Sequence, residues 1–186
     1  TFSEIAAVKH FGSSVEKLET ENIQNIFKEV FKNKNSYGVL PFENSIEGMV
    51  NQSLDSLIES DLKICSELEL SIEHCLFSSE KSMKKLSVIY GHPQAFAQCR
   101  NWFNRNLPKV KFIEVESSAK AAQLIKNKSG RGCIGPENIS ETYSLNLLKD
   151  KIQDQKSNTT RFLIIGNEFP SKSSDDKTSI SLSLKN

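Results

Sequence analysis

The feature that most constrains this chain is a repeated exchange between short apolar runs and segments with helical spacing. SYGVLPF (36–42) is an apolar run ending at Pro41 and reads as a buried strand. Before it, Asn22 is placed to cap a helix whose Ile23, Ile26, Phe27, Val30 and Phe31 fall at helical spacing. After it, Ser45 is placed to cap a second helix, with Ile46, Met49, Val50, Leu54, Leu57 and Ile58 as a core stripe. ELELSIEHCLF (67–77) alternates, with Leu68, Leu70, Ile72 and Leu76 on one side, and reads as one long strand. A second series follows: LSVIY (86–90) as a strand, a helix from about Gln94, KFIEV (111–115) as a strand, a helix from Ser118, and GCIG (132–135) as a strand. RFLIIG (161–166) reads as a strand. After the polar loop KSSDDK (172–177), Ile180, Leu182 and Leu184 alternate with serines as a half-exposed strand.

Alternating strands and helices argue for α/β architecture. Two such series, joined by the strand at 67–77 and rejoined near 157–166, imply two lobes. One holds about 1–77 plus 160–186, the other about 78–159. The 186 residues, 37% hydrophobic, suffice to bury a core in one domain or two small lobes. Ligands of such folds sit in the cleft between lobes, at helix N-termini.

Charge narrows the partners. Twenty-four basic residues face 23 acidic ones, a net charge of +1, so neither nucleic acid nor a membrane surface is favoured. The apolar stretches are too short to span a bilayer. TFSEIAAVKHF lacks the basic start and apolar run of a signal peptide. Cys65, Cys75, Cys99 and Cys133 form no CxxC pair and match no zinc spacing, so each reads as a buried free thiol in a reducing compartment. His10, His74 and His92 are far apart in sequence, and no metal site is expected.

Polar clusters fall where strands hand over to helices: Thr1-Phe2-Ser3, Glu43-Asn44-Ser45, Ser117-Ser118 and Thr159-Thr160-Arg161. Taken singly, Ser3, Ser45 and Ser118 are N-caps. Taken together around one cleft, helix N-termini would hold an anion. Arg161 is either a surface arginine or a fork for a carboxylate. HPQAFAQC (92–99) is either a turn opening a helix or a display of Gln94 and Gln98 toward a ligand. The residues alone reach a two-lobed α/β domain that binds a small anion.

In order along the chain, these segments resemble the prephenate dehydratase family. TFSEIAA (1–7) resembles its GTFS-type start and YGVLPFENSIEGMV (37–50) its YGVVPIENS-type segment. GHPQAFAQC (91–99) resembles the HPQ…Q motif, ESSAKAA (116–122) the S-T-A-rich segment, NTTRFLIIG (158–166) the N-x-T-R-F signature and KTSISLSL (177–184) the K-T-S strand. The resemblance implies two α/β subdomains similar to type II periplasmic binding proteins, with the active site in the inter-lobe cleft. It implies conversion of prephenate to phenylpyruvate in phenylalanine biosynthesis, in the cytoplasm, with no cofactor and no metal, by a homodimer or larger homo-oligomer. By position it implies Thr160 as the catalytic threonine, Arg161 as holder of a substrate carboxylate and Phe162 as packing under the site. Asn44, Ser45, Ser117, Ser118 and Gln98 would hydrogen-bond substrate oxygens, with Thr1, Glu116 and Glu43 as further contacts, Glu43 being the nearest motif carboxyl for an acid.

Some positions depart from the family. Ser117-Ser118 replaces the commoner Ser-Thr, and Gly91 precedes His92 where many members carry Ser. The family's opening strand and its phenylalanine-binding C-terminal ACT domain are expected outside these residues, in a longer polypeptide. Three other readings stay open: arogenate dehydratase, a two-lobed anion-binding protein without catalysis, and a degenerate domain kept for interaction.

Overall fold

The computed structural model describes residues 1–182. In chain order its elements are α1 (Phe2–Phe11), α2 (Ile23–Lys32), β1 (Gly38–Asn44), β2 (Gly48–Met49), α3 (Asn51–Ile58), β3 (Lys63–Ser71), β4 (Cys75–Ser78), β5 (Val88–Gly91), α4 (Pro93–Gln98), α5 (Arg100–Asn106), β6 (Lys111–Glu114), α6 (Ser118–Ile125), β7 (Arg131–Gly135), α7 (Ile139–Tyr143), β8 (Asn146–Lys149) and β9 (Thr159–Gly166). The chain divides into two compact units. One comprises Thr1–Ile5 and Ser71–Thr159; the other comprises Ala6–Leu70 and the chain from Thr160 onward.

The unit built on Ala6–Leu70 carries a sheet in the order β2-β1-β9-β3. Helix α2 starts where expected: Asn22 Oδ1 accepts a hydrogen bond from the Asn25 N–H at 2.9 Å and satisfies one of the orphan donors of the first turn. Its Ile23, Ile26, Phe27 and Val30 pack on Leu40, Leu62, Leu163 and Ile165. Phe31, at the margin of that stripe, is exposed.

Ser45 does not cap a helix. Asn44 Oδ1 accepts from the backbone N–H groups of Ile46 at 3.0 Å and Glu47 at 3.1 Å, and Gly48 takes the left-handed conformation at φ 81°. These turn β1 back onto β2, with Glu43 opposite Met49 and Asn44 opposite Gly48. Asn and Gly offer the backbone a turn that competes with a helix start. Helix α3 therefore begins only at Asn51, with no side-chain cap, and Ile46 and Met49 stay 40% exposed outside the core.

The run 67–77 is two strands of two different sheets, β3 and β4. Between them the backbone finds other partners. Ile72 N–H donates to Asn158 O at 2.8 Å, and His74 O accepts from the Ile152 N–H at 2.8 Å. The period-two pattern runs straight through this exchange, because side-chain alternation does not say which chain takes the hydrogen bonds.

The other unit has a sheet in the order β6-β5-β7-β4-β8. Strand β5 is parallel to β6 and β7, and β4 is antiparallel to β7 and β8. Both faces are covered, which is why LSVIY and GCIG read as continuous apolar runs. Leu76, Ile89 and Ile134 pack with Ala95, Cys99 and Phe103 of the α4–α5 region. Their neighbours Phe77, Tyr90 and Cys133 pack on the opposite face with Ala121, Ala122 and Ile125 of α6 and Ile139 of α7. The cap of α6 is Ser117, whose Oγ accepts from the Lys120 N–H at 3.1 Å, and Ser118 is the first helical residue. Likewise Thr1 Oγ1 accepts from the Glu4 N–H at 3.2 Å, and Ser3 lies within α1. Strand β8 and helix α7 were not anticipated; segments of four and five residues are too short to show a period.

Residues 177–182 form no strand, and Ile180 and Leu182 are exposed. Ser183 and Leu184 of the expected strand lie outside the described residues. Alternation states which face a strand would bury, but it does not supply a partner. All four cysteines are free; three are buried, whereas Cys65 on β3 is partly exposed, unlike the expectation for it. Burial pushes the Cys133 thiol up to about 12 and raises those of Cys99 and Cys75 as well. Among the described residues no helix is long and apolar enough to cross a membrane.

Gly135, at the end of β7, lets α6 and α7 approach the sheet: a Cβ there would lie 2.1 Å from Ile139 Cδ1 and 2.9 Å from Ser118 Cβ. Gly135→Ala should destabilise by about 1–3 kcal/mol through overpacking. A denaturant melt with an unchanged midpoint would contradict this packing. Thiol alkylation at neutral pH should label Cys65 well before Cys99 and Cys133, and equal rates at all three would contradict the burial pattern.

Candidate active site

Strands β1 and β9 pair antiparallel, and their register sets Asn44 opposite Thr160 and Glu43 opposite Arg161. Directly opposed residues on neighbouring strands are in side-chain contact range. Asn44 and Thr160 are each 7% exposed, and Asn44 Nδ2 donates to Thr160 Oγ1 at 2.8 Å. The direction of this bond follows from the turn. Asn44 Oδ1 is held by two backbone N–H donors, which can meet only the amide oxygen, so the NH₂ end must face Thr160. Thr160 Oγ1 thus accepts from Asn44, and its own hydrogen is available to donate to another acceptor.

Next to this pair lies a charged cluster. The register of β1 and β9 shifts between Pro41 and Glu43, so Phe42 is an extra residue with no direct partner. The Arg161 guanidinium lies over the Phe42 ring, 5.2 Å from its centroid. Arg161 Nη2 donates to Glu43 at 2.8 Å and Nη1 to Glu67 at 3.3 Å. Lys177 also pairs with Glu67. The hydrogen bond from Lys177, with the charges of Lys177 and Arg161, holds the Glu67 carboxyl below the usual carboxylate range. Successive side chains of a strand leave opposite faces, so Thr160 and Phe162 leave β9 on one side and Arg161 on the other. Phe162 is buried, and Ser45 is exposed in the hairpin turn.

The remaining expected residues belong to the other unit. Ser117 and Ser118 open α6, and Glu116 precedes them. A pocket of about 300 Å³ is lined by Glu116 with His92, Pro93, Glu114 and Val115. It sits at the carboxyl ends of the parallel strands β5 and β6, whose following helices cover opposite faces of the sheet. Gln98 ends α4, and its Oε1 meets His74 Nε2 at 2.8 Å and Asn158 Nδ2 at 3.1 Å. Thr1 stands just ahead of α1, where its Oγ1 accepts from the Glu4 N–H at 3.2 Å. Among the described residues no three His, Cys, Asp or Glu side chains are grouped to hold a metal ion.

Sequence reading did not single out Phe42, Glu67, Lys177, His74 or Asn158 for a role. Glu67 and Lys177 are charges among many, and only the strand order brings them to Arg161. Asn158 stands in the NTTRF segment, and that position was its one available signal.

A family model described as prephenate dehydratase matches residues 1–170. A bifunctional chorismate mutase/prephenate dehydratase of Stutzerimonas stutzeri is 42% identical over 187 residues, covering 100% of this chain and 51% of its own length. A prephenate dehydratase of Methanocaldococcus jannaschii is 39% identical over 169 residues, covering 88% of this chain and 60% of its own length. The chain thus spans about half the length of the curated relatives it matches first. Among solved structures, a prephenate dehydratase from Arthrobacter aurescens in complex with L-Phe superposes with a TM-score of 0.83 at 25% identity, covering 93% of this chain and 60% of that one.

The Glu67 pairing has a signed pH consequence. Its pKa is depressed in the fold, so its contribution to stability is complete above the ordinary value of 4.5 and is lost as pH falls through the lower folded value. Urea melts of the parent and Glu67→Gln should differ most near neutral pH and converge in acid. A difference that persisted unchanged in acid would contradict the ion pairing.

Proposed function

The chain belongs to the prephenate dehydratase family, and we propose that it converts prephenate to phenylpyruvate, carbon dioxide and water. The observation that carries the reading is the buried Thr160 hydroxyl, which accepts from Asn44 through one lone pair in a bond that does not use its own hydrogen.

Prephenate carries two carboxylates and a ring hydroxyl. The ring carboxylate leaves as carbon dioxide, its bonding electron pair enters the ring, and the C–O bond to the hydroxyl breaks. One proton is taken up and the oxygen departs as water. Aromatisation drives the change, and no electrons leave the substrate, so no redox partner is required. The barrier lies in the departing oxygen, which gathers negative charge as its bond breaks. A donor aimed at that atom lowers the barrier. Thr160 is this donor. A threonine hydroxyl is too weakly acidic to surrender its proton near neutral pH, so it stabilises the leaving oxygen and passes on a proton taken from water.

By its place in the motif Arg161 is the candidate for the pyruvyl carboxylate, and because it leaves β9 on the face opposite Thr160, one substrate meets both only past the end of the strand. Its fork is already held by Glu43 and Glu67, so the incoming carboxylate displaces one of them, and Lys177 is placed to retain Glu67 when it yields. The ring carboxylate must be gripped less firmly, because stabilising that charge would oppose its loss.

Phenylpyruvate formation from prephenate, followed by absorbance in alkali, tests the reading. Arogenate run alongside tests the amino-substrate alternative. Thr160→Val, which replaces the hydroxyl with a methyl group, should lower kcat by roughly 10²–10³-fold with little change in KM, the effect of removing one charge-stabilising donor. Arg161→Ala should chiefly raise KM. Near-parental turnover in Thr160→Val would remove Thr160 from its assigned role.

A further inference from the structure

We propose that Phe42, the residue added to β1 by its bulge, is a positioning residue for Arg161. Its ring keeps the guanidinium in place while a substrate carboxylate displaces one of the two glutamates that hold it. The proposal rests on the reading of Arg161 as the group that takes a substrate carboxylate.

The bulge is what gives Arg161 two neighbours from one strand. Regular antiparallel pairing sets one residue of β1 opposite each residue of β9. Here Pro41 opposes Phe162 and Glu43 opposes Arg161, so Phe42 is left over between them. Strand β1 thereby brings Arg161 both a ring and a carboxylate. Arg161 Cζ lies over the Phe42 ring, 5.2 Å from its centroid, and Nη2 donates to Glu43 at 2.8 Å. The extra residue is itself pinned. Phe42 O accepts from the Val50 N–H at 2.9 Å, and Pro41 O accepts from the Oγ of buried Ser53 at 2.6 Å. The Phe42 side chain packs against the buried cluster that includes Leu40, Leu62 and Leu163. Held at its backbone and by the core, Phe42 does not follow Arg161 when the guanidinium changes partners.

The contacts of Arg161 differ in kind. Glu43 at 2.8 Å and Glu67 at 3.3 Å occupy N–H groups, and an incoming carboxylate competes for those same donors. The ring instead attracts the charge of the guanidinium through its quadrupole and takes no particular N–H. It need not yield when one carboxylate replaces another. The Arg161 side chain is 32% exposed, so this attraction lies between the exposed and the desolvated limits for such pairs. Without the ring, a long side chain with many rotamers loses its fixed support as a glutamate departs. Binding of a carboxylate then carries the cost of ordering it again.

Fluorination separates this role from packing, because it drains the negative face of the ring and leaves its shape nearly unchanged. Mono-, di- and trifluorophenylalanine in place of Phe42 should raise KM for prephenate step by step, reaching roughly 2–10-fold, with kcat held within about twofold. Phe42→Leu, apolar but without a ring, should raise KM at least as far. A flat KM across the fluorinated series overturns the proposal, and so does a series in which kcat falls while KM stays constant. Parental KM in Phe42→Leu overturns it as well. Where Phe42→Leu fails to fold, the fluorinated series decides.

A readout without substrate accompanies these assays. The Arg161 Nε–H resonance, assigned in the whole chain by its loss in Arg161→Lys, should lie upfield through the ring current of Phe42. It should return to the ordinary position in Phe42→Leu. A resonance at the ordinary position in the parent overturns the proposal. If Arg161→Ala leaves KM at the parental value, Arg161 takes no substrate carboxylate and that reading fails. The resonance then decides on its own whether Phe42 holds Arg161.

Discussion

The hydrogen bond from Asn44 to Thr160 joins residues 116 positions apart, and the organisation of the site depends on it. It exists because β1 and β9 pair in one register, and that register is fixed by burial. Leu40, Leu163 and Ile165 must face α2, and a slip of one residue would turn them outward. The hydrophobic pattern of two strands thus determines which polar groups meet at their ends. The turn after β1 then determines how they meet. By holding the Asn44 oxygen with two backbone N–H groups, it leaves the amide nitrogen for Thr160 and so sets the polarity of a hydroxyl on another strand.

The charged cluster beside this pair follows from the same register, with one irregularity. The shift at Phe42 leaves an aromatic ring beneath Arg161, and strand order places Glu67 on its other side. Arg161, Glu43, Glu67 and Lys177 alternate in sign, so the guanidinium is neither bare nor permanently neutralised. Each contact is partly exposed and individually weak. A weakly held arginine can exchange one carboxylate for another.

Much of the fold was legible because local rules carry it. The cap of α2 at Asn22 and the buried strands of the five-stranded sheet follow from patterns that close within a few residues. The misreadings share a cause. Ser45 read as a cap because serine caps many helices, but Asn44 and Gly48 had already closed a turn. The run 67–77 read as one strand because side-chain alternation survives a change of hydrogen-bonding partner. The alternation at 177–182 read as a strand although no described strand pairs with it.

The sequence by itself determined the α/β class, most of the strands and helices, and the motif residues whose order along the chain marks the family. These are properties of short segments, decided by spacing, capping and turn chemistry. Only the tertiary structure decided that Asn44 orients Thr160, that Arg161 is held between Glu43 and Glu67, and that Gln98 joins His74 to Asn158. Each of these contacts spans tens of residues or more and arises from strand order and register. A linear pattern fixes which face a residue takes, whereas the neighbour it meets on that face is fixed only when distant segments pack.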